Sequence, residues 1–150
     1  PTLYVAVGGV GIQLLCQLRV LTASHGESDD SNSAIEALAL DTDRDTLREA
    51  CSSRWKAPLS PGDTLHMPLR LPKSYDDSPD IHGWVSRRWL YNIPRSLETR
   101  GFRPLGRVAL VDHCQRVRDL IDKKLQQLGP LASSTDAAGE ARGEVITKTG

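Results

Sequence analysis

Three glycines in four positions, Gly8-Gly9-Val10-Gly11, follow an apolar run at residues 3–7 and open an apolar-rich stretch at 12–21. A strand that turns straight into a helix needs residues tolerant of positive φ. Glycine also lets an anion reach the backbone N–H groups at the positive end of that helix. The chemistry expected is a phosphate cradle, with a ligand-free strand–helix turn as the plainer alternative. The spacing is not the dinucleotide fingerprint, because Leu14 stands where its third glycine belongs, and no Gly-Lys-Ser/Thr follows to make a P-loop.

Asp41-Thr42-Asp43 closes a second apolar stretch, 34–40. If both stretches are parallel strands, this tripeptide lies on the same sheet edge as the glycine turn, where open α/β sheets bind ligands. An acidic residue there can accept from a ribose hydroxyl or hold a water of a bound Mg²⁺. Asp41 or Asp43 can equally cap the short helix expected at 46–50.

Between Trp84 and Arg107 stand six arginines (87, 88, 95, 100, 103 and 107) against one acid, Glu98, with Trp84, Trp89 and Tyr91 interleaved. Such a run is a solvated face with aromatics turned inward, or a surface for an anionic partner. Arg103 and Arg107 flank a helix start, where a phosphate can sit. His25, His66, His82 and His113 have no metal-ligand spacing, no serine sits in a glycine elbow, and no catalytic residue is nominated.

The elements that must position these groups read as an α/β unit. The run at 3–7 suits a strand buried on both faces. Residues 12–21 suit a helix whose apolar positions are 14, 15, 18 and 21. Residues 24–33 are Ser/Asp/Asn/Gly-rich and read as an exposed loop. Prolines at 58, 61, 68, 72 and 79 confine any strand at 65–71 to an edge. Helices are expected at 80–90 and 94–99. A long one follows from Pro104, with Leu105, Val108, Val111, Leu120, Ile121, Leu125 and Leu128 as its buried stripe. Gly129-Pro130 is expected to stop it, and 131–143 to be a flexible linker or loop. Residues 145–150 look like the opening of another strand.

The chain has 150 residues, enough for one domain, and its 19 Lys+Arg against 19 Asp+Glu give zero formal net charge, which argues against a general nucleic-acid binder. At 39 % hydrophobic and 25 % charged it can build a core. No apolar run approaches the length needed to span a bilayer, and residues 1–7, without a basic region or cleavage site, are not expected to be a signal peptide. Cys16, Cys51 and Cys114 form no zinc pattern and read as reduced thiols, so a cytoplasmic protein is expected.

Taken in order, these motifs resemble the tubulin/FtsZ superfamily. Gly8-Gly9-Val10-Gly11-Ile12-Gln13-Leu14 is similar to the first nucleotide loop of tubulins, Gly-x-x-Gly-x-Gln-Ile. Ala37-Leu38-Ala39-Leu40-Asp41-Thr42-Asp43 resembles the second strand and loop of FtsZ, which carries Asn-Thr-Asp. Gly101-Phe102-Arg103-Pro104-Leu105-Gly106-Arg107 resembles the loop–helix junction by the γ-phosphate, Asn-Pro-x-x-Gly-Arg in FtsZ. With residues 84–96, the set looks like the divergent bacterial tubulin-like protein family.

The resemblance implies the N-terminal portion of a Rossmann-like, three-layer α/β domain with a mostly parallel sheet, incomplete at its C-terminal end. It implies a site for GTP or GDP with Mg²⁺. Gly8, Gly9, Val10 and Gly11 would form the first phosphate loop, and Gln13 would reach the ribose or guanine. Asp41, Thr42 and Asp43 would form the second loop, Asp43 meeting Mg²⁺ through water. Arg103, Pro104, Gly106 and Arg107 would lie by the γ-phosphate. The intact protein would be a GTPase able to associate head to tail, with a neighbouring subunit supplying the hydrolytic acid. Two departures stand out: Asp41 replaces the Asn of FtsZ, and Arg103 takes a place in the third loop. The superfamily's second glycine loop would follow a strand starting near Val145, so residues 1–150 alone are not expected to hydrolyse GTP. An NAD(P)-dependent oxidoreductase domain and a non-catalytic module gripping a partner through its arginines remain the alternatives.

Overall fold

The computed structural model describes residues 1–25 and 35–140, with side chains at 1–23 and 35–128. Strand β1 (Thr2–Val7) passes directly into helix α1 (Gly8–His25), and strand β2 (Ile35–Asp41) into helix α2 (Arg44–Ala50). A short strand β3 (Thr64–His66) completes a parallel three-strand sheet of order β1-β2-β3. Val5 pairs with Leu38, and Leu40 with Leu65. Pro68 follows two residues after β3, which keeps it short and at the edge, as the prolines require.

Two helical layers sandwich β2. Ala37 and Ala39 pack with Ile12, Leu15, Cys16, Leu47 and Ala50 of α1 and α2. Leu38 and Leu40, one residue out of phase, pack with Leu65, Met67 and Val117 on the opposite face. The small residues admit two helices close to one side, and the leucines fill the other, each contributing about 1.5–3 kcal/mol by burial. The architecture is α/β, as the alternation of elements implied.

The outer strand departs from expectation. In β1 only Ala6 is buried, while Val5 is 44 % and Val7 63 % exposed. A continuous apolar run suits a central strand, but among the described residues β1 is flanked by β2 alone. The helix stripe differs too: α1 buries Ile12, Leu15 and Cys16 and leaves Leu14 and Leu21 exposed. Of the four apolar positions that marked this helix, Leu15 is buried and Leu18 half-buried, so apolar residues occupy more than the side that meets the sheet.

After β3 the chain forms a 3₁₀ turn at Pro72–Tyr75 and two short helices, α3 (Pro79–His82) and α4 (Arg87–Tyr91), where one helix was expected over 80–90. Gly83 ends the first. Residues 94–99 are not helical: Leu97 adopts φ 60°, incompatible with a right-handed turn. The Pro104 helix forms as α5 (Arg103–Asp112), with Pro104 in its first turn. It breaks at His113, whose Nε2 lies 2.9 Å from the Pro68 carbonyl, and resumes as α6 (Cys114–Glu140). Leu105, Val108, Val117 and Leu128 are buried, but Val111 and Leu125 of the expected stripe are exposed, each lying off the buried face of its own helix. Helix α6 also runs through Gly129-Pro130, so the expected stop there, and the expected loop as far as residue 140, give way to helix. The loop expected at 24–33 falls mostly, and the strand expected at 145–150 wholly, outside the described residues.

Two polar clusters tie the layers. Lys124 of α6, nearly buried, pairs with Glu36 at 2.7 Å and with Asp63. Burial pushes its pKa down, but the two carboxylates outweigh burial and hold it above the ordinary lysine value. Tyr75, fully buried, donates its hydroxyl to Asp112 at 2.5 Å and accepts the Arg70 amide at 2.9 Å, while the Arg70 guanidinium bonds the other Asp112 oxygen at 2.6 Å. No helix among the described residues is long and apolar enough to cross a membrane.

Candidate functional site

Parallel strands joined by helices bring the carboxyl ends of β1 and β2 side by side, and so bring the glycine turn beside Asp41-Thr42-Asp43. Gly8 is the first residue of α1 and holds φ +78°, a conformation that a side chain at this point would strain. A Cβ there would meet nothing within 4 Å, so the helix start faces open space. No acidic residue occupies the first turn of this 18-residue helix, leaving its positive end without a counter-charge from that turn. Val10 points outward at 75 % exposure. Gly11 lies against Ala6, its Cβ position 3.8 Å from that backbone. Gln13 lines a small crevice with Gly9, Thr46 and Trp55.

The acidic tripeptide divides its work. Asp43 is the N-cap of α2: Oδ1 accepts the amides of Asp45 at 2.8 Å and Thr46 at 3.4 Å, and Oδ2 accepts the Thr46 hydroxyl at 2.9 Å. Burial pushes its carboxyl upward, but these three donors, with His66 nearby, outweigh burial and hold it below the usual aspartate value. Asp41 is buried and turns Oδ1 onto the Asp43 amide at 3.1 Å. The capping alternative is therefore realised at Asp43. Because Thr46 also lies 3.8 Å from the Cβ position of Gly9, cap and glycine turn form one surface.

Thr42 was in the expected set, but its partner was not. Its buried hydroxyl accepts the Thr99 amide at 3.1 Å and lies 3.3 Å from the Thr99 hydroxyl. Its carbonyl meets His66 Nε2 at 3.1 Å. Residues 97–101 are thereby held beside the end of β2, with Leu97, Arg100 and Gly101 all at positive φ. Gly101 was a visible turn signal. Thr99 and the left-handed Leu97 and Arg100 carried none, because their conformation is imposed by contacts distant in sequence. The Leu97 carbonyl, for instance, accepts the Leu69 amide. Two non-glycine residues in this region cost about 1–2 kcal/mol each, a cost proteins tolerate mainly where a loop has a set shape to keep.

The remaining expected residues form a second locus. Pro104 and Gly106 lie in the first two turns of α5. The Arg107 guanidinium sits 4.8 Å over the Trp84 ring, and Arg103 lines the same groove between α4 and α5. No hydrogen bond or ion pair among the described residues links Arg103, Pro104, Gly106 or Arg107 to the glycine turn or to residues 41–43. Nor do any three His, Cys, Asp or Glu side chains among the described residues gather as a metal site requires.

A family model described as "Tubulin like" matches residues 3–147 of the chain. No curated protein and no solved structure matches it.

Proposed function

The chain belongs to the tubulin-like family, and on that premise we propose that it binds a guanine nucleotide, GTP or GDP, at the carboxyl ends of β1 and β2. The observation that carries this reading is the convergence at one sheet edge of three features: a helix start bearing Gly8 with no acid in its first turn, the buried Asp41-Thr42 pair, and residues 99–101 tied to Thr42. The amides of Gly8, Gly9, Val10 and Gly11 are the phosphate donors, and a preorganised row of N–H groups needs no rearrangement to receive charge. Gln13 contacts the ribose or base. Residues 99–101, with Pro104 and Gly106, border the terminal phosphate, and Arg103 and Arg107 add positive charge on that side.

Mg²⁺ is part of the proposal only as an ion carried by the phosphates, where it neutralises their charge. Among the described residues no three-ligand cluster is available to it, and both oxygens of Asp43 already accept hydrogen bonds. Asp43 therefore meets the ion through water. GTP hydrolysis and head-to-tail association of the intact protein belong to the same proposal, with a neighbouring subunit providing the acid that orients water.

Calorimetric titration with GTP, GDP, ATP and NAD in the presence of Mg²⁺ tests it, on wild type and Gly9→Ala. The Cβ position of Gly9 makes only ordinary contacts, so alanine leaves the fold intact while adding a methyl group where a phosphate must approach. GTP-selective binding that Gly9→Ala weakens about tenfold or more supports the reading. NAD selectivity, or equal affinity in the variant, overturns it.

A further inference from the structure

The groove between α4 and α5 has an apolar floor and a cationic rim. Trp84, Val85, Trp89 and Pro104 line it with Ser86, Arg103 and Arg107, and it encloses about 470 Å³, room for one or two side chains. Arg87 and Arg88 stand exposed on the first turn of α4, between the groove residues Ser86 and Trp89. Among the described residues none of Arg87, Arg88, Arg95, Arg100 or Arg103 makes an ion pair, although the chain elsewhere pairs Arg48, Arg54, Arg70 and Lys124 with carboxylates. Glu98 is the single acid between residues 84 and 107. Guanidinium groups left unpaired around an apolar slot complement carboxylates that flank an apolar side chain.

We infer that this groove docks an acidic peptide segment of a partner protein, an apolar side chain entering between Trp84, Trp89 and Pro104 while its carboxylates meet Arg87, Arg88 and Arg103. Aromatic residues beside arginines also suit single-stranded nucleic acid, but only where the rings are free to stack on bases. Here Arg107 already covers a face of Trp84 at 4.8 Å, and Phe102 leans on Trp89 with ring centroids 5.2 Å apart. The rings are engaged as walls, which favours the peptide. The groove shares Arg103, Pro104 and Arg107 with the proposed nucleotide site, but Arg87 and Arg88 have no place there, so variants at those two positions test the groove alone.

The test is fluorescence anisotropy on the full-length protein with a labelled peptide of alternating Asp and Glu around one leucine. Its Asn/Gln counterpart and a single-stranded oligothymidylate serve as the other probes. Saturable binding to the acidic peptide is expected, weakened about tenfold or more in the Arg87→Glu/Arg88→Glu double variant and by raised salt. Both arginines are exposed and unpaired, so the variant's melting temperature should match wild type. Arg87→Gln/Arg88→Gln, which removes charge without reversing it, should show a smaller loss in the same direction. GTP affinity should be unchanged in both variants, whether or not the nucleotide reading survives its own test. Absence of peptide binding, equal binding of the Asn/Gln peptide, tighter binding of oligothymidylate, or wild-type affinity in the Glu variant would each overturn the inference.

Discussion

The hydroxyl of Thr42 takes the backbone amide of Thr99 at 3.1 Å, across 57 residues of chain. This bond joins the loop that ends β2 to the loop that precedes α5, two segments that the sequence separates by a proline-broken stretch and two short helices. It makes one surface of the acidic tripeptide and residues 99–101, among them the left-handed Arg100.

Removing that tie should loosen both. Thr42→Val preserves the shape but leaves the partly buried Thr99 N–H unsatisfied, at a cost of about 1–2 kcal/mol in thermal or denaturant unfolding. Thr99→Val keeps that amide bond and should cost less. Both variants should lose GTP affinity in calorimetric titration. Unchanged affinity in Thr42→Val would detach residues 97–101 from the proposed site.

Gly106 separates ligand approach from fold. It lies inside α5, and a Cβ there would meet nothing within 4 Å. If only the helix mattered, Gly106→Ala would stabilise the protein by about 0.5–1 kcal/mol. The expected outcome is that gain in melting temperature together with weaker GTP binding. A gain in stability with unaltered affinity would remove Gly106 from the site.

Asp43 should reveal itself through pH. Its folded pKa lies below the unfolded value of 3.8, so the folded state binds this proton less readily than the unfolded chain does. The stabilisation is present above the unfolded value and is lost as pH falls through the folded one. Asp43→Ala should cost about 1 kcal/mol near neutrality as a lost helix cap. That deficit should shrink in unfolding curves taken below about pH 4. A deficit that persists unchanged at pH 2 would rule out the carboxylate as its source.

Tyr75 predicts the opposite limb. Burial first, and then its bond to the Asp112 carboxylate, push its phenol from 10.0 up to about 12. A raised pKa contributes stability that is whole below the unfolded value and disappears as pH rises through the folded one, a loss of about 2–3 kcal/mol between pH 10 and 12. Tyr75→Phe should remove this alkaline step. Near neutrality it should cost about 1–3 kcal/mol, because the Arg70 amide and one Asp112 oxygen lose their partner. Denaturant titrations at pH 8 and pH 11 on both proteins give the comparison.

Local chemistry made several features legible. Glycines after an apolar run mark a strand–helix turn wherever they occur, and β1, Gly8 and α1 follow in that order. Pro104 placed the start of α5, since a proline in the first helical turn loses no hydrogen bond. Asp43 could be read as a cap or a ligand, and the three donors it accepts show the cap, which its sequence context alone did not single out. The apolar run of β1 could not disclose that one face stays open, because burial depends on what lies alongside. Nor could α1 disclose which of its apolar residues meet the sheet. Residues 94–99 looked helical, yet Leu97 is held left-handed by packing against the core formed by residues 69–109.

The sequence by itself determined the alternation of strand and helix, the glycine turn at Gly8, the acidic end of β2 and the arginine-rich segment, all consequences of local propensity and charge. The tertiary structure decided which of these groups share a surface. Parallel pairing of β1 with β2 set the glycine turn beside Asp41 and Thr42, a hydrogen bond across 57 residues added Thr99, and the packing of α4 on α5 turned Trp84 and Arg107 into a groove. Proximity between residues far apart in the chain follows from closing loops around a core, and no window of the sequence contains that geometry.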